Sequence, residues 1–116
     1  MENAIQVKSF DFAVRVVKLC QHLWGKKREF VLSKQLVRSG TSIGANVEEA
    51  IGGSSRPDFS NKLAIAYKEA RETSYWLRLL EKTDYLTPKQ FASIHADLEE
   101  ILKLLFTIRK SAKSNR

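Results

Sequence analysis

A chain of 116 residues with a formal net charge of +7 and one cysteine, Cys20, is long enough for a single domain over 1–116 with its own core, and it excludes an intramolecular disulfide or a multi-cysteine metal site. The basic balance, with a pI near 9.7, biases the protein toward polyanions such as RNA, DNA or acidic membrane surfaces and says nothing about fold. MENAIQVKSFDF has no signal-peptide pattern and no long uncharged apolar run follows it, so the expectation is a soluble, cytoplasmic protein with no membrane partner.

The first helical segment is expected from about Val7 to about Trp24. Asp11, Arg15, Lys18 and His22, spaced four, three and four apart, form one wet stripe. Phe10, Phe12, Ala13, Val14, Val16, Val17, Leu19, Cys20 and Leu23 fill the remainder, an apolar sector wider than one neighbour needs, which implies burial on two sides. The basic connector GKKRE, Gly25 to Glu29, leads to a second segment from about Phe30 to about Ile51, ended by GGSSR. Within it Leu36, Ile43, Val47 and Ala50 share one face, although Gly40 and Gly44 interrupt the run. Each interior glycine costs about 1 kcal/mol relative to alanine, so these two need a compensating contact. Ser39, Gly40, Ser42, Gly44 and Ala45 strip bulk from two turns and permit close approach of a neighbouring helix, within the protomer or across a subunit contact. Asn46 and Glu49 lie beside the same stripe as hydrogen-bonding groups.

Ser54 or Ser55 caps the third segment, with Pro57 in its first turn and Asp58 against the positive end of the dipole. Phe59, Leu63, Ala66, Ala70, Thr73, Leu77 and Leu80 form its packed seam. Thr87-Pro88-Lys89-Gln90 combines an N-cap, a first-turn proline and a capping-box glutamine, and Phe91, Ile94, Leu98, Ile101, Leu105 and Ile108 follow as a heptad stripe. A basic, frayed tail is expected over about 111–116. Long helices with short connections predict an all-α, antiparallel up-down-up-down four-helix bundle.

Ser42-Ile43-Gly44-Ala45-Asn46-Val47-Glu48-Glu49 and the stretch from Glu72 to Leu80, EXXXWLXLL in pattern, resemble the four-helix-bundle family of 23S rRNA intervening-sequence proteins, whose relatives include the accessory protein of diversity-generating retroelements. The likeness covers nearly the whole chain; Ala50 departs from it, where the family often has glycine. It implies a four-helix protomer assembled with copies of itself into a ring, commonly a homopentamer, no recognised catalysis, no cofactor, and a connection to RNA or DNA through basic surfaces.

The candidate phosphate contacts are Lys26, Lys27 and Arg28 in the connector, Lys34 and Arg38 on the second segment, and Arg109, Lys110, Lys113 and Arg116 near the end of the chain. A charge run is more often a solvated face, and cations at a helix C-terminus also complement its dipole. Trp24, Tyr67, Tyr75 and Trp76 are candidate stacking surfaces, with packing favoured for Trp76. Candidate helix-packing or oligomer-interface residues are Gly40, Ser42, Gly44, Asn46 and Glu49. Arg15 and His22 share a face at a spacing similar to that of some helical ribonucleases, but nothing in the sequence orients them, and His22 and His95 lack partners at metal spacing. GGSS lacks the lysine that completes a P-loop. The reading is a non-enzymatic oligomer that binds nucleic acid through phosphates; the alternative is an oligomeric protein-protein adaptor with no nucleic-acid ligand.

Overall fold

The computed structural model describes residues 3–53 and 55–114; Ser54, the Lys113 side chain and Arg116 lie outside the described residues. Four helices, α1 (Ala4–Gly25), α2 (Val31–Ile51), α3 (Arg56–Lys82) and α4 (Pro88–Ser114), account for nearly all of that length, and no strand occurs among the described residues.

Each helix start has a local cause. Asn3 accepts from the Gln6 N–H at 2.9 Å, which begins α1 three residues before the expected Val7. Ser55 accepts from the Asp58 N–H at the head of α3, with proline in the first turn. Thr87 and Gln90 form a reciprocal capping box: the Thr87 hydroxyl accepts from the Gln90 N–H at 3.1 Å, and the Gln90 side chain accepts from the Thr87 N–H at 2.9 Å. Helix α4 continues to Ser114, into the segment expected as tail. Ala50 is buried inside α2, which ends one residue later with Gly52 as its C-cap.

The helices pack as a closed square in which α1 touches α2 and α4, and α3 touches α2 and α4; among the described residues the backbones of α1 and α3 do not approach closely and stand across the diagonal. Neighbours run antiparallel. Gln6 donates to Glu48 across α1 and α2, Arg38 reaches Glu69 across α2 and α3, and Arg15 reaches Asp97 across α1 and α4. The result is an up-down-up-down bundle of 48 × 23 × 21 Å. Its core is built from the stripes read in the sequence: Leu36, Ile43, Val47 and Ala50 from α2, Leu63, Ala66, Ala70, Leu77 and Leu80 from α3, and Ile94, Leu98, Ile101 and Leu105 from α4.

Helix α1 departs from expectation. Only one side of its wide apolar sector is covered within the protomer, through Ile5, Phe12, Val16, Cys20 and Leu23. Val7, Phe10 and Val14 point away from the bundle, with Phe10 65% exposed. The square supplies α1 with two neighbours on adjacent sides, and its polar Lys8 and Arg15 flank already faces α4 through Glu100, Asp97 and Ser93.

The glycines of α2 serve the contact with α1. A methyl group on Gly40 would lie 2.9 Å from both methyls of fully buried Val16, and one on Gly44 would lie 3.3 Å from the Ser9 carbonyl oxygen. Beside them Ser39 faces α3, where the Thr73 hydroxyl donates to its Oγ at 3.0 Å. Gly40→Ala is therefore expected to destabilise the protein despite its better helix propensity. Valine is stiff about χ1 and cannot swing aside, and overpacking a filled core costs about 1–3 kcal/mol. Gly25→Ala, where the added methyl meets nothing within 4 Å, should instead stabilise by up to about 1 kcal/mol. Thermal melts of the two variants check this; a Gly40→Ala protein as stable as the parent would show that Val16 can yield.

Candidate nucleic-acid interface

The connector between α1 and α2 is held by Glu29. Its carboxylate accepts from the N–H groups of Val31 and Leu32 at 2.9 Å and of Ser33 at 2.7 Å, so three otherwise orphaned donors at the start of α2 converge on one anion. The Ser33 hydroxyl donates to the Glu29 carbonyl and accepts from the Trp24 indole at 2.7 Å, tying the end of α1 to the same point. Burial by itself would raise the Glu29 carboxyl; the N–H groups of Leu32, Ser33 and Val31 and the Ser33 hydroxyl outweigh it and hold the carboxyl below its ordinary value. Nearby Cys20 is buried, its thiol pushed up to about 12 chiefly by burial and further by Glu29, and it donates to the Ser33 carbonyl. This thiol is structural.

The connector then turns through Arg28 in the left-handed region, at φ 56°, a conformation usually left to glycine or asparagine. The Arg28 guanidinium lies over the Phe30 ring at 5.6 Å, while Lys26 and Lys27 are exposed and take no acidic partner among the described residues. Lys34 is likewise exposed and unpaired. Arg38 is not available in the same sense: it bridges α2 to α3 through Glu69 at 3.3 Å and through Glu72, which also accepts from the Trp76 indole at 2.9 Å. Arg109 lies 5.3 Å over Tyr67, and Lys110 is exposed.

The candidate packing residues make contacts within the protomer. Gly40 and Gly44 meet α1, the Asn46 amide donates to the Ser42 carbonyl at 2.8 Å and lies 3.1 Å from its hydroxyl one turn back, and Glu49 pairs with Lys62 of α3 at 2.8 Å. Arg15 is committed to Asp97 and Ser93, and His22 stands exposed at the end of α1 with no hydrogen-bond or ionic partner for its ring among the described residues. Among the described residues no cluster of histidine, cysteine and carboxylates is suited to a metal, and no helix is long and apolar enough to cross a membrane.

Two arrangements escaped the sequence reading. Ser74, His95 and Glu99 are linked at 2.8 and 3.0 Å, with the His95 ring stacked on Phe91. The connectivity resembles a hydrolytic triad, but Ser74 sits inside a continuous helix whose N–H groups bond its own carbonyls, so no donors converge on a developing oxyanion. The three residues tether α3 to α4. The second arrangement is a stripe on the outer face of α3: Lys68, Arg71, Tyr75, Arg78 and Lys82 recur at steps of three, four, three and four, all exposed, and none of the four cations has an acidic partner among the described residues. It spans about 21 Å at the usual helical rise. The three-four spacing was there to be read in the sequence; the lack of neutralising partners was not.

Because neighbours are antiparallel, this stripe runs toward the bundle end that also holds Lys26, Lys27, Lys34 and Lys89. The acids at that end are few, and Glu29 is occupied internally. Glu48, Glu49, Asp58, Glu99 and Glu100 lie farther along the bundle.

Residues 1–107 match the family model described as 23S rRNA-intervening sequence protein. The chain belongs to that family. A crystal structure of a protein with unknown function from the S23 ribosomal protein family of Bacteroides thetaiotaomicron is similar to it, with a TM-score of 0.91 and 55% identity over 92% of this chain and 99% of that one. Among curated proteins none matches. The family thus agrees with the four-helix architecture and with the intervening-sequence resemblance, and neither comparison points to an enzyme class.

The Glu29 clasp generates a pH prediction. A carboxyl whose folded value lies below its ordinary 4.5 contributes stability that is present above that value and is lost as pH falls through the folded one. Glu29→Gln should lower stability at neutral pH by about 1–2 kcal/mol, as loss of a helix-start acceptor does. The gap from the parent should narrow as pH is lowered from there to about 3. Melting temperatures followed by circular dichroism across that range check it; a gap independent of pH would mean that the charge of Glu29 is immaterial.

Proposed function

We propose that this protein is a non-enzymatic, self-assembling helical bundle that holds RNA or other nucleic acid by its phosphates, along the outer face of α3 and the basic end of the bundle. The observation that carries this reading is the α3 stripe, four exposed cations without acidic partners flanking an exposed tyrosine. Cations already matched within a fold have little left for a ligand, whereas unmatched ones release counterions when they meet a phosphate backbone. A family named for an intervening sequence of 23S rRNA makes RNA the first polymer to test.

Assembly is the second part of the proposal. The uncovered stripe of Val7, Phe10 and Val14 on α1 has the three-four spacing of a helix seam, and a second copy of the chain is its occupant. A stripe that meets itself closes a dimer, whereas a ring needs a different surface on the next copy. Phe30 and the 74% exposed Val31 at the start of α2 offer such a surface. The ring, five-membered on the family resemblance, then presents several copies of the α3 stripe to one strand, and weak phosphate contacts multiply through effective concentration.

Replacing Lys68, Arg71, Arg78 and Lys82 together by glutamine should weaken binding to RNAs of unrelated sequence alike, and should flatten the dependence of log affinity on log salt by about 0.7 for each phosphate no longer neutralised. Fluorescence anisotropy across a salt series reads both quantities. Unchanged affinity would move the site off α3, to the connector, where replacement of Lys26, Lys27 and Arg28 tests it in the same assay. A partner protein retained after nuclease treatment, with no RNA bound at low salt, would favour the adaptor reading.

Phe10→Asp should reduce the mass measured by light scattering to that of smaller species while leaving the helical spectrum intact, because Phe10 makes little use of its own protomer's core. An unchanged mass would place the subunit contact elsewhere, and a monomeric parent protein would remove the assembly proposal.

A further inference from the structure

Toward the basic end of the α3 stripe lies a cleft of about 410 Å³ lined by Tyr75, Arg78, Leu79, Glu81, Lys82 and Phe91. Its size falls within the roughly 300–1,000 Å³ typical of small-molecule sites. Tyr75 is 50% exposed, yet its ring is set by an edge-on contact with Trp76, 5.0 Å between centroids and 77° between planes. Trp76 is in turn anchored through its indole to Glu72. Phe91, across the cleft on α4, is stacked on His95, which the Ser74 and Glu99 tether holds in place. Two aromatic rings on different helices therefore border one opening, each braced from behind rather than free to collapse onto the other.

The polar groups at this cleft have an uneven character. Arg78 lies over the Tyr75 ring at 6.0 Å, a loose contact, and Lys82 is exposed; neither is neutralised. Glu81 is half-buried at the rim, and its carboxylate takes no hydrogen bond or ion pair from any described residue. A site built only for phosphate would not keep an unpartnered carboxylate beside its cations. Aromatic faces, two cations and one free acceptor together match a nucleotide unit: a flat base to stack, phosphates to neutralise, and an amine to donate.

We propose that this cleft receives one unstacked base of a single-stranded nucleic acid, with Tyr75 and Phe91 supplying aromatic surface, Arg78 and Lys82 meeting the flanking phosphates, and Glu81 accepting from an exocyclic amine. This inference rests on the nucleic-acid reading above and narrows it. A base still paired in a duplex cannot enter, so single strands are preferred. Cytosine, which carries an amine where uracil carries a carbonyl, is favoured over uracil because Glu81 attracts the first and repels the second.

The test is anisotropy with labelled oligocytidylate, oligouridylate and a mixed-sequence duplex of equal length, on the full chain and on Tyr75→Leu and Glu81→Gln, each checked for an unchanged melt. The parent should bind oligocytidylate about fivefold more tightly than oligouridylate, and both more tightly than the duplex. Tyr75→Leu should lose about tenfold in single-strand affinity with its salt slope unaltered, since a stacking surface has been removed and every phosphate partner kept. Glu81→Gln should level the two oligonucleotides. Equal affinity of the parent for single strand and duplex, or a Tyr75→Leu protein that binds as the parent does, overturns the base cleft and leaves phosphate binding standing. No binding of any probe at low salt overturns both.

Discussion

Two glycines let the backbones of α1 and α2 meet where Val16 covers Gly40 and Ser9 faces Gly44, and the remaining packing follows from how closely those helices approach. With Val16 filling the space that a side chain on Gly40 would occupy, the inner stripe of α1 is committed to α2 and the shared core. The opposite stripe cannot then be covered from within, because a four-helix square gives α1 neighbours only at α2 and α4. On the far side of α2, Ser39 and Thr73 keep polar atoms in a dry contact and satisfy one another, fixing the register of α3 where an all-apolar contact would tolerate sliding. The same glycines that weaken α2 as an isolated helix thus determine which faces of the protomer remain open.

The open faces differ in character because the acidic side chains are unevenly used. Glu69 and Glu72 are drawn to Arg38, Asp97 to Arg15, Glu100 to Lys8 and Glu49 to Lys62, all across helix boundaries. Exposed pairs of this kind contribute little to stability, but they dispose of negative charge. Among the described residues, exposed cations left without an acidic partner include Lys68, Arg71, Arg78 and Lys82 along α3 and Lys34 and Lys89 near the α2 and α4 starts. Net charge alone carries no position; the pairing pattern adds where unmatched cations stand along α3.

Much of the fold was legible in the sequence because it is encoded by near neighbours. The Thr87 and Gln90 box, Ser55 ahead of Pro57, and the apolar stripes of α2, α3 and α4 are all interactions over three or four residues, and each is found in the structure as read. Contacts across helices were harder. Arg38 read as a phosphate contact because its acidic partners are more than thirty positions away, and Glu29 read as part of a charged connector because its carboxylate doubles back on the following N–H groups. Arg28 in the left-handed region carries no signal at all, since nothing about arginine announces that backbone. The stripe from Lys68 to Lys82 has the same periodicity as a core seam but the opposite chemistry, so a search for apolar repeats passes over it.

The two open faces stand in a useful relation. Helices α1 and α3 occupy diagonal corners of the square, so an outward stripe on one points away from the outward stripe on the other. A subunit contact made through Val7, Phe10 and Val14 therefore leaves Lys68, Arg71, Tyr75, Arg78 and Lys82 of each copy uncovered by that contact. Were the cations and the apolar stripe on adjacent helices, assembly would bring like charges together at the subunit boundary and oppose itself, by an amount that grows at low salt. Separation across the diagonal keeps the α3 stripe clear of the α1 face, so association of copies through α1 and attraction of a polyanion to α3 need not compete. A strand that bridges two α3 stripes would stabilise the oligomer, and an oligomer would hold the strand at more points than one protomer can.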